Sequence, residues 1–227
     1  MLTLRLVVTS RKHPLTTTIS YRSQLRIRKD RCLTRDGHRC PLTGIYDRAT
    51  PAPILPAQIE TTAHLNLAHI VPPHATSSPT LQRYYTIFTG RPASHIRGSS
   101  LNHPRNGLVL EANVHRDFAT HRWGIEADRK AYRVVKIAPG LLSFKVPDVP
   151  IVFGCGKRDS ELPDEQLCDL HLAVGRVLWH SGVAEVVNRF LREAGKVDAL
   201  GDWGDETENV FGILERKLLA GPEFVIR

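Results

Sequence analysis

Residues 65–71 form a short apolar run, carried by Leu65, Leu67, Ala68, Ile70 and Val71, that Pro72 and Pro73 close abruptly. The run has the length of a strand. Two consecutive prolines, without N–H donors and with φ fixed, continue neither a helix nor a central strand. A second strand-like run over residues 108–110 follows Asn106-Gly107, which reads as a turn into it. Residues 74–105 between the runs are irregular, with Ser77-Ser78-Pro79, a short helix at about residues 81–88 and a loop over residues 90–104. Asn113 stands where an N-cap would start a short helix through His115 and Phe118. The order strand, long loop, strand, short helix is the main constraint on the fold.

The flanks add to it. Residues 123–126 and 132–137 surround Ala127-Asp128-Arg129-Lys130, a hairpin pattern, with Phe118, Trp123 and Ile125 as expected core. Further on, Leu167, Leu170, Val174, Val177 and Leu178, then Val183, Val186, Val187, Phe190 and Leu191, recur at helical spacing, and Ser181-Gly182 breaks them into two helices. These stripes read as intradomain core, with a self-association face as the alternative. Residues 201–209 are acidic, and residues 210–219 suit a last amphipathic helix. Upstream, residues 50–56 are a proline-rich loop, and residues 31–44 suit two short segments around the Asp36-Gly37 turn. Leu2, Leu4, Leu6 and Val8, then Leu25 and Ile27, alternate with basic positions, which suits a strand or an arm more than a helix. The expected architecture is α+β, with a basic arm over residues 1–30, a central domain over residues 31–137 and a mostly helical extension over residues 138–227.

Charge narrows the partners. The chain carries 31 Lys+Arg against 23 Asp+Glu, a formal +8, and a basic surface attracts polyanions. Arg5, Arg11, Lys12, Arg22, Arg26, Arg28, Lys29, Arg31, Arg35 and Arg39 gather near the start. A nucleic-acid-contacting arm would look like this, and so would a solvated face. No stretch of about 18 apolar residues occurs, which speaks against a membrane span. No secretory pattern opens the chain, so the expected location is intracellular, nuclear or cytoplasmic. Cys32, Cys40, Cys155 and Cys168 contain no C-x-x-C pair, which argues against a zinc ribbon or knuckle and for free thiols, with partial metal ligation by Cys32 and Cys40 as the alternative.

Seven of the 11 histidines lie between His64 and His121, a density that suggests metal or acid/base chemistry. Ala68-His69-Ile70-Val71-Pro72 resembles the first motif of HNH endonucleases, Asn106-Gly107-Leu108-Val109-Leu110 the second and His115-Arg116-Asp117-Phe118 the third. Arg39-Cys40-Pro41-Leu42-Thr43-Gly44 resembles that family's opening segment. Singly, His69 reads as a half-buried histidine, Asn106 as a turn residue and His115 as a solvent-facing one. As an ordered triplet they resemble the ββα-metal nuclease, closest to the HNH subgroup common in fungal genomes.

The resemblance implies hydrolysis of phosphodiester bonds in nucleic acid, expected to be DNA. It makes His69 the general base, Asn106 the residue that fixes the connecting loop and aims His69, and His115 a ligand to a divalent cation, expected to be Mg²⁺ with Mn²⁺ or Zn²⁺ as alternatives. Two positions depart from the pattern. Ala68 and Ala119 stand where the family often has metal ligands, and neither can bind metal. Asn66, His74, Asp117 and His121 are the auxiliary ligands at hand, although Asp117 and His121 would point off the His115 face of a helix. Arg26, Arg28, Lys29, Arg31, Arg105 and Arg116 are the expected nucleic-acid contacts. His64, His95 and His103 are given no role. The alternative function is a degenerate module that binds nucleic acid or a protein without cleaving.

Overall fold

The computed structural model describes residues 21–72, 79–92, 102–129, 131–155 and 161–193. The expected arm before residue 21, the acidic stretch and the last amphipathic helix lie outside these residues. The described part is α+β: five helices and three small two-stranded sheets among the described residues.

Helix α1 (Tyr21–Arg35) corrects the expectation of a strand or arm up to residue 30. Its inward positions are Arg28, Cys32, Leu33 and Arg35, whereas Ile27 is exposed. Two of the buried positions are arginines, so the sequence shows no apolar stripe at helical period. The many straight-chain residues, Gln24, Leu25, Arg26, Arg28 and Lys29, lose little rotamer freedom in a helix. The helix stops at a left-handed turn, Gly37 at φ +67° and His38 at φ +59°, where the His38 N–H donates back to the Leu33 carbonyl at 2.7 Å.

Strands β1 (Tyr46–Asp47) and β2 (Thr62–Ala63) make a two-residue parallel pair. The buried Asp47 carboxylate accepts from the backbone N–H of Ala49 at 2.8 Å and of Leu65 at 3.0 Å, and so sets the start of β3 (Leu65–His69). Residues 50–56 contain a single 3₁₀ turn, Ala52–Ile54. Helix α2 (Pro79–Thr89) takes the expected place in the long connection.

Strand β4 (Gly107–Glu111) pairs antiparallel with β3, in the register Leu65↔Glu111, Leu67↔Val109 and His69↔Gly107. Gly107 through Leu110 are all buried, because α1 and α3 (Ala112–Ala119) pack against this hairpin. A Cβ on Gly107 would meet Cys32 Sγ and Leu67 Cδ1 at 3.0 Å each, so α1 sits close only because the residue is glycine. Asn113 is not the N-cap of α3. The helix begins at Ala112, two residues earlier than a cap at Asn113 would place it, and Glu111 in the cap position makes no side-chain cap bond.

After α3, β5 (Trp123–Asp128) and β6 (Ala131–Lys136) form the expected hairpin. Trp123 is fully buried, and its Nε1–H donates to the Val114 carbonyl at 3.2 Å, tying the hairpin to α3. Helices α4 (Glu165–His180) and α5 (Val183–Glu193) follow, separated by Ser181 and by Gly182 at φ +75°. Asp164 caps α4, accepting from the Gln166 and Leu167 N–H groups at 3.0 and 3.3 Å. Helix α4 lies on β5 so closely that a Cβ on Gly124 would be 3.2 Å from Leu172 Cα. Phe118, Trp123 and Ile125 are core, with Leu65, Ile70, Leu108, Leu110 and Val114 around them.

Candidate functional site

His69 is the last residue of β3, half-buried, on the strand face that also carries Leu65 and Leu67. Past it the backbone leaves the ladder at Ile70 and Val71. There the chain is held by one side chain. Asn106, fully buried, accepts from the Val71 N–H through Oδ1 at 2.8 Å and donates from Nδ2 to the Val71 carbonyl at 2.7 Å. Its own carbonyl accepts from the Ile70 N–H at 3.2 Å. A primary amide presents one donor and one acceptor in the geometry of a peptide, so Asn106 extends the β3–β4 pairing by a rung that Pro72 ends.

The expected Asn106-Gly107 turn is corrected here. Gly107 is extended at φ −138°, and the turn precedes it as the 3₁₀ segment Pro104–Asn106. That segment is clasped from α1. The Cys32 thiol, pushed up to about 11 by burial and therefore protonated, points at the carbonyls of Pro104 and Gly107, 3.7 Å from each. The Arg35 guanidinium donates to the same two carbonyls at 3.0 Å each.

His115 lies on α3, which packs on β3 and β4, and is 2% exposed. Burial lowers its pKa to about 4, so the imidazole is neutral at pH 7, and its Nδ1 is shielded without a hydrogen-bond partner among the described residues. A neutral ring with an idle nitrogen is the form a metal would bind. The rest of a ligand set does not assemble around it. Asn66 points to the opposite face of β3 from His69. Asp117 is engaged by the Arg122 side chain at 3.4 Å and accepts from the Ser143 N–H at 2.7 Å. His121 leaves α3 at φ +54° and stacks on His171, ring centres 4.3 Å apart, while His171 stacks on Phe118 at 3.9 Å. Burial lowers the His121 pKa to about 4 and holds that of His171 well below its usual range. His74 lies outside the described residues. Among the described residues, no three His, Cys, Asp or Glu side chains come together to hold a metal ion, so the described donor set does not fit a bound cation.

The basic residues divide in two. Arg26 and Arg116 are exposed. Arg28 is 2% exposed and donates to Asn102 Oδ1 at 3.2 Å, and Lys29 pairs with Asp47 at 3.5 Å. Arg31 pairs with the buried Glu161 at 2.6 Å and stands 3.4 Å from His103, whose pKa is lowered by partial burial and then by the Arg31 charge. Arg105 pairs with Asp164 at 3.0 Å. Arg35 was visible in the sequence only as part of a basic run, and Asp36 only as a turn residue.

The strand, buried asparagine, strand and helix thus stand in one unit. Residues 40–126 match the family model of HNH endonucleases. The HNH match runs from the Cys40 turn into β5, includes His69, Asn106 and His115, and supports nuclease function. It leaves α1, α4 and α5 outside. No curated protein and no solved structure matches the chain. No helix among the described residues is long and apolar enough to cross a membrane.

Proposed function

We propose that this HNH segment hydrolyses phosphodiester bonds in DNA, with β3, β4 and α3 as its ββα core and His69 as the general base. The motif order is closest to the subgroup common in fungal genomes. The observation that carries the reading is the pair of hydrogen bonds between the Asn106 amide and the Val71 backbone, 2.8 and 2.7 Å, which pins the chain two residues beyond His69. A base must be held within a fraction of an ångström to take a proton from an attacking water, and a buried amide clamp supplies that rigidity. Arg26 and Arg116, exposed at the surface, are the side chains best placed to meet a phosphate backbone, with Arg105 and Lys29 beside their acidic partners.

The family likeness implies a divalent cation, and His115, a neutral ring whose Nδ1 has no partner among the described residues, is the side chain proposed to hold it. Ala68, Ala119 and the engaged Asp117 and His121 favour a second reading, a module that binds nucleic acid without cutting. A plasmid-nicking assay with Mg²⁺, Mn²⁺ or Zn²⁺ added singly separates the two. Cutting by wild type and loss of cutting in His69→Ala are expected. Salt-dependent binding with no cutting under any ion, or His69→Ala as active as wild type, rejects the nuclease reading.

A further inference from the structure

We infer that Arg35 is a positioning residue for His69, acting through Asn106; this rests on the nuclease reading above. The Arg35 side chain is wholly buried, and each of its five N–H donors is used. Nε and Nη2 donate to the two carboxylate oxygens of Asp36 at 2.8 and 2.6 Å. Nη1 donates to the Pro104 carbonyl at 3.0 Å and the Glu161 carbonyl at 3.1 Å, and Nη2 donates to the Gly107 carbonyl at 3.0 Å. Pro104 and Gly107 bracket the 3₁₀ turn that ends in Asn106.

The consequence is a short mechanical chain. Arg35 fixes the carbonyls on both sides of Asn106, Asn106 fixes Val71 and Ile70, and these fix the end of β3 that presents His69. The Asp36 carboxylate offsets the desolvation of the buried guanidinium and fixes its plane through the two-pronged contact, and the Phe153 ring, 5.4 Å away, covers it. Planarity is essential to this arrangement. A lysine at this position has three donors radiating from one point and cannot reach the Asp36 fork and three carbonyls together.

A purely structural arginine would lower stability alone. A positioning arginine also lets Asn106 and Val71 shift without unfolding, so the Val71 amide exchanges faster and kcat falls while KM holds. The test uses the full-length chain and three proteins: wild type, Arg35→Lys, and Val187→Ala, which truncates a buried α5 residue away from the HNH segment. Arg35→Lys is expected to speed hydrogen exchange at Val71 and Ile70 relative to Val187→Ala at matched denaturant midpoint. Its kcat is expected to fall about 100-fold with KM unchanged. If Arg35→Lys and Val187→Ala behave alike in exchange and kcat, the inference is overturned.

If wild type cuts nothing, the nuclease reading has failed, and the exchange comparison alone decides whether Arg35 controls the end of β3. Should Arg35→Lys fail to fold, native-state exchange of wild type decides. The Val71 amide must then open with the same denaturant dependence as the Asp36 amide, which is bonded to Cys32 at the end of α1, and independent opening overturns the inference.

Discussion

Lowering the pH from 7.5 to 5 should cost this fold a large part of its stability, and the stack of Phe118, His171 and His121 should carry much of the loss. His121 has its pKa lowered by burial to about 4, against a value near 6.5 in an unfolded chain. The unfolded state therefore takes up the proton first. Between pH 6.5 and 4 it binds more protons than the native state, so stability is complete above about 6.5 and falls as the pH drops through that window. For His121 the linkage relation gives a loss of roughly 2 kcal/mol at pH 5 and roughly 3 kcal/mol below pH 4. His171, also held well below its usual range by burial and by His121, adds a loss of the same sign, as does His115. Asp169, whose pKa is raised by burial, acts in the opposite sense. Urea unfolding followed by tryptophan fluorescence at pH 7.5, 6 and 5 measures the slope. His171→Phe keeps an aromatic ring between Phe118 and His121 and removes one titrating group, so it should flatten the slope, at some cost in stability at pH 7.5 because the bond between the His171 ring and the Phe118 backbone is lost. A wild-type midpoint that does not move between pH 7.5 and 5, or a His171→Phe slope equal to that of wild type, would refute the reasoning.

Two further outcomes follow from the same structure. Asn106→Ala strips partners from the buried N–H and carbonyl of Val71 and should lower stability by about 2–4 kcal/mol, read as a fall in urea midpoint. Arg26→Ala and Arg116→Ala, at exposed sites, should leave the midpoint unchanged and each reduce the salt slope of nucleic-acid binding by about 1; an unchanged slope removes them from the interface.

The parts of the fold that sequence made legible are those whose signal is local. Residues 65–71 read as a strand because two prolines stop them, and residues 108–110 because they are an unbroken apolar run, which the structure extends to β4 and buries on both faces. The hairpin of β5 and β6 and the break at Ser181-Gly182 carried ordinary turn and periodicity signals. Helix α1 did not, because its inner face sets Arg28 and Arg35 beside Cys32 and Leu33, and these arginines have partners far along the chain: Asn102 lies 74 residues from Arg28, and Glu161, whose carbonyl Arg35 meets, lies 126 from Arg35. No local pattern announces a guanidinium that is buried only because distant carbonyls and carboxylates arrive to meet it.

Four residues of the basic run and its surroundings, Lys29, Arg31, Arg35 and Arg105, are for the same reason engaged with Asp47, Glu161, Asp36 and Asp164 instead of pointing freely to a polyanion. The histidines obey the same logic. Their crowding between residues 64 and 121 suggested one chemical centre, yet a crowd in sequence is not one in space. A left-handed residue after α3 turns His121 away, and its ring finds His171, 50 residues on, instead of a ligand set with His115. What stands at the hairpin is His69, with the chain beyond it held by an amide and, behind that, an arginine. In the proposed reaction, with His69 as the base, rate therefore depends more on how rigidly that residue is held than on how many ligands surround it.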